Sequence, residues 1–329
     1  MVNKWGVGNF YNFARSATDR SRARTAIWNG DSYANWTGLS YSVTSGIRAG
    51  LVGFSQWGSD TGGYVRTVGN VADGPSEELW ARWMQFSSFC PVYELMLGTN
   101  HTPYYSPYTE HLVQVMKETS NLHHSLFPYI KSYQYRATKD GIPLIRAIFL
   151  EVPEDLQTYE MTDEYFFGSE FLIAPIVNAG GKRTVYFPQK GTKYLEYFNK
   201  TNVYMGGTSS TVQMSTDFIP AYVVECAIVP RGDIYQGNNK WTSKWQPHLE
   251  IEVYPSYGCE KSMFLYYNGN DQVEITMATD SRSQSVTVWY GDLALRGTIT
   301  AFTKYGAMNA TILPGGGVAT FENMTSLFD

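Results

Sequence analysis

Residues 28–36 read WNGDSYANW, and in this stretch Asp31 stands between glycine, small polar residues and two indole rings. Apolar walls around a carboxyl group raise its pKa, and flat aromatic faces stack well on sugar rings. Both properties suit a general acid that protonates a glycosidic oxygen. We therefore interpret Asp31 as the first candidate for a catalytic residue.

A second stretch of the same kind, GFSQWGSDTGGY, covers residues 53–64 and ends an apolar run with Asp60 and two glycines. A Gly-Asp pair is also common in ordinary turns, so neither stretch alone indicates a site. Together they favour one, because each closes a strand-like run. From the residues alone, Asp31 and Asp60 form a candidate carboxylate pair at the C-terminal ends of parallel strands, where barrel active sites lie.

The composition narrows the class of protein. The chain has 329 residues, enough for about two domains, with 17% charged and 16% aromatic residues. This balance suits a surface that handles carbohydrate, and it also suits a β-rich protein. A net charge of -5 without a basic cluster argues against nucleic acid or an anionic membrane as a partner. No apolar run could span a bilayer, and the first residues lack the apolar core of a secretory signal.

The three cysteines, Cys90, Cys226 and Cys259, have no spacing typical of a metal site or a redox pair. Cys90 and Cys226 lie in apolar runs, so we predict that both are small core residues. Histidines and carboxylates do not occur at metal-ligand spacing either. The sequence therefore predicts no metal and no cofactor.

Asn-x-Ser/Thr sequons favour a parent protein of the secretory pathway or the extracellular space. The five sequons begin at Asn35, Asn100, Asn199, Asn309 and Asn323. Asn35 lies inside the candidate site, and we expect it to stay unmodified.

Residues 1–140 alternate short apolar runs with helical patterns. Helical spacing predicts helices over residues 39–50, over 76–89 with Ser76 as the N-cap, and over 110–138 with a break at Pro128. Repeated strand and helix units imply parallel strands with right-handed crossovers. These units are too few for a closed eightfold barrel, so residues 1–140 are predicted to form the second half of a (β/α)8 TIM barrel.

After Gly141 the pattern changes to runs rich in Val, Ile, Phe and Tyr between Gly, Pro and Asn turns. Such runs predict strands with little helix. We expect two antiparallel β-sandwich domains in tandem, a proximal one over residues 141–233 and a distal one over residues 234–329.

Four sequence elements resemble the C-terminal half of glycoside hydrolase family 31, the α-glucosidase and α-xylosidase family. They occur in the order and at the spacing of the family, and the resemblance runs over nearly the whole chain. The elements are ARS (14–16) with WNGD (28–31), GSDTGGY (58–64), SEELWARWMQFSSFCP (76–91), and the stretch 127–155 with EYFFGSEFLIAPIV (164–177).

The resemblance implies a role for each matched residue. Asp31 looks like the catalytic acid/base, and Arg15 looks like the arginine that hydrogen-bonds the sugar in the first subsite. Asp60 looks like a carboxylate that shapes this subsite. Trp28, in the same motif as Asp31, and Tyr64, which matches an aromatic platform, are further substrate-binding candidates.

Two of these positions have another reading. Arg15 could form an ion pair within the barrel, for example with Asp19, in place of a contact to sugar. Tyr64 could pack in the core.

The sequence departs from the family after Pro91. The family commonly has Met-Arg-x-His there, with a histidine that binds the glycone, whereas this chain reads VYELMLGTNHTPYY over residues 92–105. Either His101 takes this role after an apparent insertion, or Glu94 replaces the histidine, or His101 is an ordinary loop residue. His123 and His124, on the last barrel helix, are interpreted as packing or solvent-facing residues.

A retaining glycosidase needs two carboxylates about 5–5.5 Å apart, one as nucleophile and one as acid/base. The resemblance implies that the nucleophile is an aspartate on an earlier barrel strand, in a Trp-x-Asp motif that this chain lacks. We therefore expect the acid/base half of a retaining α-glycoside hydrolase that acts on α-linked oligosaccharides or polysaccharides. Its partner is the missing N-terminal half of the catalytic domain, and the chain alone is expected to be inactive.

Other functions remain open at this stage. The chain could be a non-catalytic carbohydrate-binding or scaffolding piece. Within the same family, it could also belong to an α-glucan lyase or to a transglycosylase.

Overall fold

The computed structural model describes residues 4, 11–65, 74–96, 102–235, 245–258, 260–326 and 328. Among these residues, the α-helices named below all lie before residue 141, and strands dominate the chain after it. Three short 3-10 helices connect them, at Asp19–Ala23, Ile148–Leu150 and Leu156–Glu160.

The described α-helices confirm the helical patterns. They are α1 Trp36–Leu51, α2 Glu77–Ser88, α3 Glu110–Ser125 and α4 Phe127–Asp140. Ser76 caps α2 as predicted, since its hydroxyl accepts a hydrogen bond from the Leu79 amide at 3.2 Å. The predicted break is also present, and Pro128 lies in the first turn of α4, where its missing amide hydrogen costs no helical hydrogen bond.

The strands before residue 141 are short and run parallel. Strands β1 Phe13–Ala14, β2 Ala26–Trp28 and β3 Trp57–Gly58 form one sheet in the order β1-β2-β3. Strands β4 Asp60–Thr61 and β5 Glu94–Leu95 form a second parallel pair. Parallel strands joined by helices are the repeating unit of a TIM barrel, and this part corresponds to its second half.

The strands after residue 141 are mostly antiparallel. They are β6 Ile145–Arg146, β7 Tyr165–Phe167, β8 Phe171–Ile173, β9 Lys182–Phe187, β10 Lys193–Glu196, β11 Val203–Met205, β12 Thr208–Gln213, β13 Ala221–Val224, β14 Ile228–Arg231, β15 Leu249–Val253, β16 Lys261–Tyr267, β17 Gln272–Asp280, β18 Ser285–Tyr290, β19 Gly297–Thr303, β20 Gly306–Ile312 and β21 Gly317–Phe321.

These strands form four sheets among the described residues. The orders are β11-β10-β13-β8-β7-β6, β12-β9, β14-β15-β19-β20 and β16-β17-β18-β21. The neighbours β15 and β19 run parallel, which departs from the predicted antiparallel pattern. Strand β14 pairs with β15, so one sheet joins residues on both sides of the predicted boundary at residue 233.

The cysteines add one feature to the prediction. Cys90 is buried and free, as expected. Cys226 is a buried residue as predicted, but it is disulfide-bonded, which the prediction did not include. Its apolar neighbours indicated burial, and Cys226 is indeed only 7% exposed. They carry no information about a sulfur partner that is distant along the chain.

Helix α2 joins the half barrel to the C-terminal region through a buried arginine. The Arg82 side chain donates hydrogen bonds to the carbonyl oxygens of Met214 at 2.8 Å, Ser215 at 2.7 Å and Phe218 at 3.1 Å. Glu78, one turn earlier, lies 3.6 Å from the guanidinium and balances its charge. Three carbonyl groups of the loop before β13 therefore depend on one side chain of the barrel.

We expect Arg82→Met to lower the free energy of unfolding by about 2–4 kcal/mol, because it removes a buried guanidinium that donates to three partly buried carbonyl groups. Urea denaturation of the purified chain measures this loss. Arg136→Met is the matched control, since the Arg136–Asp140 pair lies on the surface of α4 and is worth less than about 0.5 kcal/mol. Equal losses in the two variants would contradict the anchoring role.

Candidate active site

Four polar side chains gather where the parallel strands end. Arg15 directly follows β1, and Asp31 lies in the loop that follows β2. Asp60 and Glu94 are the first residues of β4 and β5 and face each other as register partners. The C-terminal ends of parallel barrel strands form one rim, which is where barrel enzymes carry their active sites.

Arg15 and Asp31 form an ion pair, with 3.5 Å between Nη2 and Oδ2. The two side chains are 63% and 37% exposed, so the pair contributes little to stability and leaves Asp31 open to solvent. The side chain of Asp19, the alternative ion-pair partner of Arg15, lies outside the described part of the chain.

The WNGD sequence explains how this pair is positioned. Gly30 has φ of 76°, a left-handed conformation that favours glycine, and a Cβ atom there would lie 3.0 Å from Arg15 Nε. The Asn29 amide donates hydrogen bonds to Ser32 Oγ at 2.9 Å and to Ser42 Oγ at 2.8 Å, which fastens the loop to α1. The local geometry therefore explains both the glycine at position 30 and the asparagine at position 29.

Asp60 is a buried carboxyl group without a donor. It is 1% exposed, and among the described residues neither of its oxygens has a hydrogen-bond partner. Burial raises the pKa of Asp60 to about 6, the charge of Asp31 adds to the rise, and Arg15 opposes it. Asp60 therefore holds its proton at mildly acidic pH, a property that its sequence motif did not reveal.

Glu94 is the second perturbed carboxyl group of the rim. Its Oε1 is buried and, in the described structure, has no hydrogen-bond partner. Burial raises the pKa of Glu94 to about 7, and the neighbouring Asp60 contributes to the rise. Desolvation and then the charge of Glu94 raise the pKa of Tyr11 to about 12, so this hydroxyl stays protonated. The competing candidate His101 lies outside the described residues.

Two aromatic candidates lie at the same rim. Trp28 is half-buried and packs on Phe13, with ring centroids 5.1 Å apart. Tyr64 is 47% exposed among the described residues. Its amide donates to the Ser32 carbonyl at 2.8 Å, so Tyr64 is held next to the loop that carries Asp31. Contact of either ring with sugar stays a prediction.

The two helix histidines lie apart from these groups. Burial lowers the pKa of His123 to about 4, and its ring packs against Tyr93 with centroids 5.6 Å apart. His124 Nε2 lies 3.0 Å from Asp233 Oδ1 near the surface. Both roles agree with the interpretation of packing and solvent-facing residues.

The described residues offer neither a metal site nor a membrane-spanning helix. They contain no cluster of three or more His, Cys, Asp or Glu side chains arranged to hold a metal ion. Within that part of the chain, no helix combines the length and the apolar character needed to cross a bilayer.

Two family models match the chain. Residues 4–133 match the model of the glycosyl hydrolases family 31 TIM-barrel domain. Residues 141–229 match the model of the glycosyl hydrolase family 31 C-terminal domain. The matched segments contain Arg15, Asp31, Asp60 and Glu94, so the rim lies within the barrel match.

Individual relatives agree with this match. An α-xylosidase of Emericella nidulans is 29% identical over 70% of this chain and 29% of its own length. A probable glucan 1,3-α-glucosidase of Oryza sativa subsp. japonica is 32% identical over 73% of this chain and 25% of its own length. The chain therefore spans less than a third of either protein.

A solved structure shows the same fold. The family 31 dextranase of Flavobacterium johnsoniae, complexed with glucose, superposes with a TM-score of 0.83 at 20% sequence identity. The match covers 96% of this chain and 46% of the dextranase chain. The described fold therefore corresponds to just under half of that enzyme.

We expect Asp60→Asn to stabilise the chain more at about pH 8 than at about pH 4. In the unfolded chain the Asp60 carboxyl group ionises near its usual pKa of 3.8, but in the folded chain it ionises only near 6. The free energy of unfolding of the wild-type chain therefore decreases as the pH rises through this range. Asparagine does not ionise, and its advantage should grow by roughly 2–3 kcal/mol across this window. Urea denaturation at both pH values measures the difference.

The control for this experiment is Asp271→Asn, which changes an exposed aspartate in the loop before β17. Its effect on stability should be nearly the same at both pH values. A stability difference for Asp60→Asn that does not change with pH would show that Asp60 ionises normally in the folded chain.

Proposed function

Because the chain belongs to glycoside hydrolase family 31, we propose that it supplies the acid/base half of a retaining α-glycoside hydrolase site, with Asp31 as the acid/base. One observation carries the proposal. Asp31 is a partly exposed carboxyl group at the C-terminal rim of parallel strands, ion-paired with Arg15 and next to the buried Asp60. A carboxyl group that exchanges protons with substrate and water must be accessible, and those that shape a subsite can be buried.

In this mechanism Asp31 acts twice. It first gives its proton to the glycosidic oxygen, while a carboxylate on the other side of the sugar forms a bond to the anomeric carbon. The carboxylate of Asp31 then takes a proton from water, whose oxygen displaces the enzyme carboxylate from the anomeric carbon. Arg15 would orient Asp31 and the glycone through its guanidinium donors.

The opposing nucleophile would come from the first half of the barrel. Among the described residues β1 has a pairing partner on one side only, so a parallel sheet edge is open. A groove of about 1180 Å³ lies at the N-terminal ends of β1, β2 and β3, lined in part by Asn12, Thr25, Val52 and Gln56. Val52 is 59% exposed there. An open parallel edge favours docking of the remaining barrel strands.

The substrate would be an α-linked glucoside or xyloside in an oligosaccharide or polysaccharide. The names of the relatives, α-xylosidase, glucan 1,3-α-glucosidase and dextranase, support this class. In this chain, the exposed ring of Tyr64 and the half-buried ring of Trp28 would stack on the sugar.

The domain division belongs to the same proposal. Residues 1–140 would form the half barrel, and residues 141–233 and 234–329 would form two β-sandwich domains. The mostly antiparallel sheets support this division, and the β14–β15 pairing would couple the two sandwiches.

We expect the chain alone to show no hydrolysis of aryl α-glucosides or α-xylosides, because one carboxylate of the pair is absent. Reconstitution with a segment that supplies the first half of the barrel and its nucleophile should produce activity. Release of the aryl group measures it. Hydrolysis by the chain alone, abolished in Asp31→Asn, would show that the catalytic pair is complete without a partner.

In the reconstituted enzyme, Asp31→Asn should lower kcat/KM by about 10²–10⁴-fold on a disaccharide, whose leaving group needs protonation. The loss should be much smaller for a glycosyl fluoride, whose leaving group does not. Azide should restore turnover of the fluoride by Asp31→Ala and yield a glycosyl azide of retained configuration, because it enters where the carboxyl group was removed.

Asp271→Asn serves as the control and should leave both substrates unaffected. Equal losses on the disaccharide and the fluoride, without azide rescue, would reject Asp31 as the acid/base. Product analysis in the same assay distinguishes three fates of the glycosyl intermediate. Attack by water gives free sugar, attack by a sugar hydroxyl group gives a new glycoside, and elimination gives an anhydro sugar.

A further inference from the structure

The four-stranded sheet β16-β17-β18-β21 has one face in the core and one face in solvent. Successive side chains of a strand point to opposite faces of its sheet. The inward side chains at the centre of the sheet are at most 1% exposed, namely Ile275, Met277, Val286 and Val288. The residues between them therefore point to the outer face.

Exposed apolar side chains lie in one row across this outer face. Trp289 on β18 is the register partner of Thr276 on β17 and of Val318 on β21. Thr276 pairs in turn with Met263 on β16. Met263 and Val318 are exposed, and Trp289 is 43% exposed although it is the largest side chain of the row. The row therefore presents an indole ring to solvent between smaller side chains.

The neighbouring outward row is rich in hydroxyl groups. It contains Thr287 on β18 and Thr320 on β21, whose Oγ1 atoms lie 3.5 Å apart. It continues through Ala278 to Lys261, the one charged side chain of the two rows. A threonine hydroxyl can both donate and accept a hydrogen bond. The two rows, called the Trp289 face below, thus combine an aromatic ring with groups that hydrogen-bond to a polyol.

The surrounding charges select against an anionic ligand. Beyond the two rows, the outward positions of β17 are Glu274 and Asp280, both exposed. The whole chain carries a net charge of -5. A nucleic acid or an anionic polymer would meet like charge there, whereas a neutral ligand would not.

The size of the Trp289 face selects against a protein as its occupant. Four strands and two outward rows span about 14 Å by 7 Å between backbone positions, or roughly 200 Å² with the side chains. A stable protein–protein interface buries about 800 Å² on each partner. A short stretch of polysaccharide fits the smaller area, because its rings stack on an indole and its hydroxyl groups reach the threonines.

We propose that the Trp289 face is a second carbohydrate site, separate from the rim of Asp31, which holds a neutral polysaccharide by stacking on Trp289. Only the choice of an α-glucan as the ligand rests on the proposed function. Binding here would keep the polymer at high local concentration while the rim acts on another part of it.

Native gel electrophoresis of the 329-residue chain in gels with and without dextran, a neutral α-glucan, tests the proposal. Dextran should slow the wild-type chain, and its concentration dependence gives Kd. Trp289→Ala should raise Kd at least about fivefold, because the stacking ring is lost. Trp289→Tyr keeps an aromatic face and should retain most of the binding. Thr287→Val removes a hydroxyl group at nearly constant shape and should raise Kd about two- to fivefold.

Two variants serve as controls. Tyr305→Ala removes another exposed aromatic ring, in the turn between β19 and β20, and should leave Kd unchanged. Tyr64→Ala removes a ring at the rim of Asp31 and should also leave the retardation by dextran in place.

Several outcomes would overturn the inference. It fails if dextran does not slow the wild-type chain, if Trp289→Ala is slowed equally, or if the loss occurs in Tyr64→Ala instead. Sedimentation velocity covers the other occupant, since a wild-type dimer that becomes a monomer in Trp289→Ala would identify a second copy of the chain on this face.

The proposed function is judged separately, by hydrolysis in the reconstituted enzyme and its dependence on Asp31. Hydrolysis without retardation by dextran would reject only the second site. Retardation that depends on Trp289, without hydrolysis after reconstitution, would reject only the proposed function.

Discussion

The buried carboxyl group of Asp60 is the constraint around which the rim of the half barrel is arranged. A carboxyl group without a donor would turn toward solvent if its strand could move. The strand is held from behind by α2, where Trp83 donates to the Ser59 hydroxyl at 3.0 Å and the hydroxyl groups of Thr61 and Ser87 lie 2.7 Å apart. These bonds fix the backbone on both sides of Asp60.

The hold on Asp60 extends into the C-terminal region. Helix α2 is itself fastened there by Arg82, whose guanidinium binds three carbonyl oxygens of the loop before β13. Helix α4 is held in a second way, because the hydroxyl groups of Tyr129 and Tyr133 donate hydrogen bonds to the buried carboxylate of Glu170. The C-terminal sheets therefore support the half barrel at two places. This support explains how an unsatisfied, proton-holding carboxyl group can persist at the rim, since the fold compensates elsewhere for its cost.

Much of this arrangement follows from local sequence patterns. The Ser76 cap, the break before Pro128 and the parallel strands all depend on short-range rules, and the structure confirms them. The WNGD loop was also recognisable, because its glycine conformation and its asparagine hydrogen bonds are encoded within a few residues of Asp31. Side-chain chemistry that depends on the sequence neighbours of a residue can be predicted in this way.

Other features depend on contacts between distant segments and were missed or left open. The disulfide of Cys226 and the parallel β15–β19 pairing are examples. The raised pKa values of Asp60 and Glu94 are another, since burial is their first cause and it depends on how distant segments of the chain pack together. The sequence offered Glu94 only as one substitute for a missing histidine. Its register with Asp60 is what distinguishes it.

The central claim is that Asp31 acts opposite a nucleophile that this chain does not contain. Trapping the covalent intermediate of the reconstituted enzyme with a 5-fluoro glycosyl fluoride, followed by peptide mass spectrometry, tests it most directly. We expect the label on a carboxylate of the added first half of the barrel, with Asp31 and Asp60 unlabelled. A label on Asp60 would contradict the account, because the catalytic pair would then lie entirely within this chain.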